Sequence, residues 1–188
     1  MTSTNWPPQA RGYFAIGAER MSKALNLGNL MRSAHGFGAS FTFTLGATYH
    51  ALEARADTSK GQWHLPHYNW SELDEISLPE GCQLIGVELV DDAIDLPSFR
   101  HPLKAAYVLG PEMGSLSPPV LNRCQHVVRI PTRFCINVAM AGAIVMYDRV
   151  RTLAPFAERP VRAGGPRQGH VKPVGQPTTP SRKISTGR

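Results

Sequence analysis

The sequence predicts an α/β fold in which a mostly parallel sheet is flanked by helices. Short apolar runs alternate along the chain with segments of helical periodicity, which is typical of parallel strands connected by helical crossovers. With 188 residues, the chain is long enough for one domain with a substantial hydrophobic core. Two apolar runs end in turns rich in glycine and proline, at Gly110 and at Pro131. Such turns at the carboxyl ends of parallel strands are where small ligands bind.

The strands are predicted from apolar or alternating runs that are bounded by turn residues. They cover residues 13–16, 40–45, 83–89, 105–109 and 126–130. Residues 57–72 are polar, although they contain Trp63, His64, His67, Tyr68 and Trp70, and this segment is predicted to be a loop.

The helices are predicted from apolar residues at helical spacing. Ala24–Phe37 carries Leu27, Leu30, Met31 and Ala34 on one face, and glycines at 36 and 38 end it. Residues 49–55 and 118–122 form shorter predicted helices. The strongest helix spans residues 137–153, with a stripe of small and β-branched residues at Val138, Ala141, Ile144, Val145 and Val150.

The basic character of the chain is confined to its end. The formal net charge is +6, yet residues 159–188 hold seven Lys or Arg and no acidic residue, which leaves 13 basic against 14 acidic residues elsewhere. Five glycines, five prolines and no aromatic residue in this stretch predict disorder. We therefore divide the chain into an irregular arm (1–12), a folded domain (13–157) and a basic tail (158–188). The tail either contacts a polyanion in a salt-dependent way or only aids solubility.

Targeting and metal signals are weak. No apolar stretch approaches the roughly 18 residues of a membrane span, and the first residues lack the apolar region of a signal peptide. The three cysteines lack metal-type spacing and suit a reducing compartment, so we expect a cytoplasmic protein without membrane association. The spacing of His64 and His67 has no cysteine or acidic support, so no metal site is predicted. The aromatic residues around them either stack on unpaired bases or pack onto the domain.

Three short motifs occur in order along the domain. The first runs from Asn26 to Arg32 and is followed by Gly-Phe-Gly at 36–38, the second is Leu-Gly-Pro-Glu-Met-Gly at 109–114, and the third joins Ile130-Pro131 to Cys135-Ile136-Asn137. Together they resemble the motifs of the SpoU/TrmH family of RNA ribose methyltransferases, within the SPOUT superfamily. The resemblance covers roughly residues 14–151, and the order of three motifs is far more specific than any one of them.

The resemblance implies a SPOUT fold with a C-terminal trefoil knot, a homodimer, and an active site that includes residues of both chains. It implies S-adenosylmethionine as the methyl donor and RNA as the substrate, with tRNA favoured over ribosomal RNA because no N-terminal substrate domain is expected. The donor is expected to contact mainly backbone groups of turns. The matching positions are Val87, Gly110, Pro111, Ile130, Cys135 and Ile136.

The catalytic candidates are Arg32, Asn26, Glu112 and Asn137. Arginine does not readily lose its proton, so we expect Arg32 to grip the phosphate beside the target nucleotide and orient the ribose. Asn26 and Asn137 are expected to fix Arg32 or the ribose, with a helix cap as the alternative for Asn26. Glu112 is expected beside the ligand, the alternative being a solvated carboxylate.

The third motif departs from the family pattern. Cys135 stands where the family has serine, and only three residues separate it from Pro131, so the turn is shorter than usual. This departure leaves open a knotted RNA-binding protein with little or no catalysis. A second alternative, separate from the departure, is a base methyltransferase of the same superfamily.

Overall fold

The computed structural model describes residues 12–47 and 64–165, which form a seven-stranded sheet in the order β3-β2-β1-β6-β4-β7-β5. All six strand pairings are parallel. Among the described residues, no helix is both long and apolar enough to cross a membrane. The strands are β1 (Tyr13–Glu19), β2 (Phe41–Leu45), β3 (His67–Trp70), β4 (Gln83–Val87), β5 (Ile94–Asp95), β6 (Lys104–Leu109) and β7 (His126–Arg129), and the helices are α1 (Ala24–Phe37), α2 (Pro118–Arg123) and α3 (Val138–Leu153).

The sheet has a switch point between β1 and β6, which are neighbouring strands near its centre. From β1 the chain passes through α1 to β2 on one side, whereas from β6 it passes through α2 to β7 on the other side. The two connections therefore leave the sheet in opposite directions and open a crevice at the carboxyl ends of the strands. In parallel α/β sheets this crevice is the usual ligand site.

The helices α1 and α3 pack closely against each other on one face of the sheet. Leu27, Leu30 and Met31 of α1 and Val145 and Met146 of α3 are all buried in this core. A Cβ at Gly142 of α3 would meet the end of the Leu30 side chain, so glycine allows the two helices to approach without displacing Leu30. The other face of the sheet carries α2 and a second apolar cluster. Close packing of α1 and α3 brings their two amino ends together at the crevice.

Within the described residues, the expected elements are confirmed to within two or three residues, except in the segment 57–72. His67–Trp70 forms strand β3 rather than part of a loop, because its residues alternate between the two faces of the sheet. Tyr68 and Trp70 pack on the aromatic rings of β2, with Trp70 5.2 Å from Phe43. His67 hydrogen-bonds to Thr42 at 2.9 Å, and its burial lowers its pKa to about 4.

Three further points concern strand β5, the apolar stripe of α3 and the segments outside the described residues. The two-residue strand β5 was not predicted, because a bridge of that length has no periodicity to detect. In the apolar stripe of α3, Ile144 is exposed, and Met146 and Arg149 take buried positions instead. The expected helix at 49–55, most of the arm 1–12 and most of the tail lie outside the described residues.

A buried arginine fixes α3 to the amino edge of the sheet. Arg149 is 1% exposed and donates to the backbone carbonyl oxygens of Tyr13, Pro102 and Leu103, the last at 2.8 Å. Its guanidinium also lies 5.4 Å from the centre of the Phe14 ring. A buried cation is tolerated when such acceptors surround it. Arg149 lies at the edge of the sheet opposite the ligand crevice, so its contribution is to the fold.

Candidate functional site

A cavity of about 280 Å³ lies in the crevice at the carboxyl ends of β4, β6 and β7. Its walls are the turns that follow these strands and the first residues of α1 and α3. The wall residues are Lys23, Asn26, Val87, Glu88, Leu89, Leu109, Gly110, Pro111, Glu112, Gly114, Ile130, Thr132, Cys135, Ile136, Asn137, Val138 and Ala141. All six residues expected to contact a donor are in this set, as are Asn26, Glu112 and Asn137.

Glu112 joins the turn after β6 to the start of α1. One oxygen of its carboxylate accepts from the backbone nitrogen and the hydroxyl of Ser22, both at 2.9 Å. The other oxygen accepts from the backbone nitrogen of Lys23 at 3.0 Å and from the side-chain amide of Asn26 at 3.1 Å. The residue at the cap position of α1, Lys23, supplies no side-chain cap of its own. Glu112 therefore provides from a distant turn the acceptor that the start of α1 needs.

These contacts decide the charge of Glu112. Partial burial by itself raises the pKa of its carboxyl, but the hydrogen bonds from Ser22 and Asn26 outweigh burial and hold the pKa below its ordinary value. The positive end of the α1 dipole acts in the same direction. Glu112 is thus a fixed anion at neutral pH and is poorly suited to accept a proton.

Asn26 and Asn137 connect the first and third motifs directly. The side-chain amide of Asn137 donates to the side-chain oxygen of Asn26 at 3.0 Å. The oxygen of Asn137 caps α3 by accepting from the backbone nitrogens of Ala139 and Met140. Asn26 is not a helix cap, because it lies inside α1 and bridges Glu112 to Asn137. One chain of hydrogen bonds therefore links all three sequence motifs at the wall of the cavity.

Two further carboxylates hold the turn after β6, and the sequence analysis did not identify them. Glu88, directly after β4, accepts from the backbone nitrogen of Leu116 at 2.7 Å. Buried Glu19, the last residue of β1, accepts from the backbone nitrogen of Ser117 at 2.7 Å. Gly110 is required beside them, because a Cβ there would lie 2.9 Å from the Glu88 carboxylate. In the structure Glu19 is the last residue of β1 and Glu88 directly follows β4, so an acidic residue near the end of an apolar run was the available signal.

Arg32 is the expected catalytic residue that the structure places elsewhere. It is exposed on α1 and is not part of the cavity wall. Six residues separate it from Asn26, which in a helix corresponds to about 120° around the axis and about 9 Å along it. Arg32 and Asn26 therefore face different surroundings in a single chain.

Four exposed apolar side chains are direct sequence neighbours of residues of the cavity wall. Leu25, Met113, Phe134 and Met140 are 60%, 86%, 75% and 61% exposed. Large apolar side chains gathered in this way mark an interaction surface more often than ordinary solvent-facing surface.

Taken together, the fold and site define an all-parallel α/β protein with a ligand-sized cavity at the switch point of its sheet. Residues 13–147 match the SpoU rRNA Methylase family, and the chain belongs to this family. The match extends over both central strands, the three motifs and most of α3. The resemblance inferred from the motifs is therefore confirmed.

Known proteins similar to this chain include one mouse enzyme and two bacterial structures. The chain is 26% identical over 150 residues to tRNA (guanosine(18)-2'-O)-methyltransferase TARBP1 of Mus musculus, a match that covers 72% of this chain and 9% of that protein. The SpoU methyltransferase AviRb from Streptomyces viridochromogenes, in complex with the cofactor AdoMet, superposes with a TM-score of 0.68 at 21% identity, covering 77% of this chain and 59% of AviRb. The AdoMet-bound rRNA methyltransferase from Sinorhizobium meliloti gives a TM-score of 0.68 at 25% identity, covering 78% and 58%. The chain thus spans about three fifths of the two bacterial proteins and a small part of the mouse enzyme.

Proposed function

We propose that this protein transfers a methyl group from S-adenosylmethionine to a ribose 2'-hydroxyl of RNA, with tRNA as the substrate. The observation that carries the proposal is the hydrogen-bond chain from Glu112 through Asn26 to Asn137, which joins the three family motifs at one cavity. Family membership and the AdoMet-bound bacterial relatives support the donor. The mouse relative, whose name specifies tRNA, supports the substrate.

The cavity suits the donor in its chemistry. Its volume of about 280 Å³ is just below the range of about 300–1,000 Å³ that is usual for ligand pockets. Val87, Ile130 and Ile136 supply apolar walls, and the turns at Gly110 and Cys135 present backbone groups that can recognise a nucleoside. Bound there, S-adenosylmethionine supplies an electrophilic methyl group.

The residues of the site then act by position and charge rather than as a strong base. Asn26 and Asn137 are neutral, and the carboxylate of Glu112 is occupied by four hydrogen bonds, so none of these side chains readily takes the hydroxyl proton. Arg32 does not accept a proton either. We infer that the proton leaves to water or to an RNA phosphate, while the guanidinium of Arg32 grips that phosphate and aligns the ribose.

We further propose that the active site forms between two copies of the chain. The apolar surface around the cavity continues along α3 through Ile144 and Tyr147, which are 37% and 54% exposed. A second copy seated on this surface would cover the mouth of the cavity. Arg32, which is not part of the wall of its own cavity, would then serve the cavity of the other protomer. The return of the chain from β7 to α3, beside α1, also supports the proposed C-terminal knot.

Transfer of a radiolabelled methyl group tests the proposed reaction. Purified protein, labelled S-adenosylmethionine and unmodified tRNA or ribosomal RNA are incubated, and the RNA is digested to nucleosides. We expect label in tRNA, in 2'-O-methyl nucleosides. Label on a base would instead indicate a base methyltransferase, and RNA binding without transfer to either RNA would indicate an inactive RNA-binding protein.

Mixing two inactive variants tests the shared site. Arg32→Ala removes the cation and Gly110→Ala disrupts the donor turn, so each homodimer should be inactive. In a mixed population half of the dimers carry both variants, and each has one site with an intact cavity and an intact Arg32, so about a quarter of wild-type activity returns. If Arg32 acts in its own chain, no activity returns on mixing.

A further inference from the structure

The cavity wall carries two carboxylates, and they differ in how many hydrogen bonds they already accept. A carboxylate offers about four acceptor positions. At Glu112 all four are occupied, by two donors of Ser22 and one each of Lys23 and Asn26. Glu112 is therefore committed to the protein's own structure and has no acceptor position left for a ligand.

Glu88 has spare capacity. One of its oxygens accepts from the backbone nitrogen of Leu116 at 2.7 Å, and the other accepts from that of Leu89 at 2.9 Å. Among the described residues these are its two hydrogen-bond donors, so each oxygen keeps one acceptor position. The two bonds also fix the carboxylate against the wall at Gly110, without the freedom of an exposed side chain.

The net charge of the cavity wall also favours a positively charged ligand. Its charged side chains are those of Lys23, Glu88 and Glu112, which sum to one negative charge. Lys23 reaches Glu112 through its backbone nitrogen, and among the described residues neither Glu112 nor Glu88 forms an ion pair. The charge of Glu88 is therefore without a partner of opposite sign on the cavity wall.

We propose that Glu88 makes the cavity prefer the positively charged methyl donor over its neutral product. This inference rests on the proposed function. S-adenosylmethionine carries a sulfonium and a net charge of about +1 at neutral pH, whereas S-adenosylhomocysteine is neutral overall. A fixed carboxylate in a partly water-excluded cavity favours the first over the second and so favours release of the product after each transfer.

Calorimetric titration tests this role. S-adenosylmethionine and S-adenosylhomocysteine are each titrated into wild-type protein, Glu88→Gln and Glu19→Gln. Glu19 is the matched control, because its carboxylate also holds the turn after β6, through Ser117, but is not part of the cavity wall. In Glu88→Gln we expect the ratio of the two dissociation constants to fall about tenfold, equivalent to about 1.4 kcal/mol. In Glu19→Gln both affinities should fall together and the ratio should stay constant.

The outcomes separate this role from the proposed function. An unchanged ratio in Glu88→Gln, or an equal change in Glu19→Gln, would contradict selection by charge at Glu88. If the wild type bound neither nucleoside, the proposed function itself would fail. Sinefungin, which carries an ammonium group in place of the methylsulfonium, adds a test on the unmodified protein: it should bind at least as tightly as S-adenosylmethionine, and binding no tighter than the neutral product would overturn the inference.

Discussion

Replacement of Glu112 by glutamine tests whether one carboxylate organises both the start of α1 and the cavity wall. In the wild type, one carboxylate oxygen accepts from the backbone nitrogen of Ser22 and the other from that of Lys23. Glutamine keeps only one of these oxygens, and its NH₂ group takes the place of the other. One backbone donor loses its partner, and the interaction of the charge with the α1 dipole is lost. Together these cost about 2 kcal/mol of the free energy of unfolding. For a chain of this size that lowers Tm by about 4–8 °C.

Thermal and urea unfolding at several pH values provide the assay. Because the pKa of Glu112 is lower in the folded state, its charge stabilises the protein fully above the ordinary value of 4.5, and this stabilisation is lost as the pH falls through the folded-state value. The difference between wild type and Glu112→Gln should therefore be largest at pH 7 and shrink below about pH 4. Glu80→Gln, at an exposed site, is the control and should leave the free energy of unfolding unchanged. A difference that stayed constant down to pH 3 would refute the reasoning.

Three further changes have separate expected outcomes. Arg32→Ala should lower the methylation rate at least about a hundredfold, while donor affinity and Tm stay unchanged. Arg32→Lys should restore little of the rate, because the ammonium of lysine lacks the planar set of donors of the guanidinium. Retention of half the wild-type rate in Arg32→Ala would contradict this role. Truncation after Glu158 should weaken RNA binding most at low salt and reduce its salt dependence, measured by filter binding, without changing the rate at saturating RNA. Arg149→Met should cost about 3 kcal/mol in urea unfolding, because three backbone carbonyl groups at partly buried positions lose their donor.

Much of the fold is predictable from the sequence because parallel strands and their crossovers have strong periodic signals. The buried strands β1 and β6 and the helix α1 are recognisable from apolar pattern and from glycine at helix ends. Strand β3 was missed for a physical reason. It is an edge strand of four residues, and its stability comes from aromatic packing on β2, which no local pattern contains. The strand order is likewise a property of long-range pairing.

The residues of the site are predictable from the sequence, but the hydrogen bonds that connect them are not. The motifs place Asn26, Glu112 and Asn137 at turns and helix starts, so their convergence follows from the family pattern. That Glu112 is saturated and Glu88 is not follows only from hydrogen bonds between segments distant in sequence.

The position of Arg32 is the informative exception, and the motif spacing itself explains it. Six positions in an α-helix turn Arg32 about 120° away from Asn26, so the two side chains leave α1 in different directions. A motif that nonetheless pairs these two residues makes sense if two cavities are involved, one in each protomer. On this view Asn26 organises the cavity of its own chain and Arg32 completes that of the other. The spacing of the motif, taken as helix geometry, is therefore an argument for the proposed dimer that does not depend on the exposed apolar side chains.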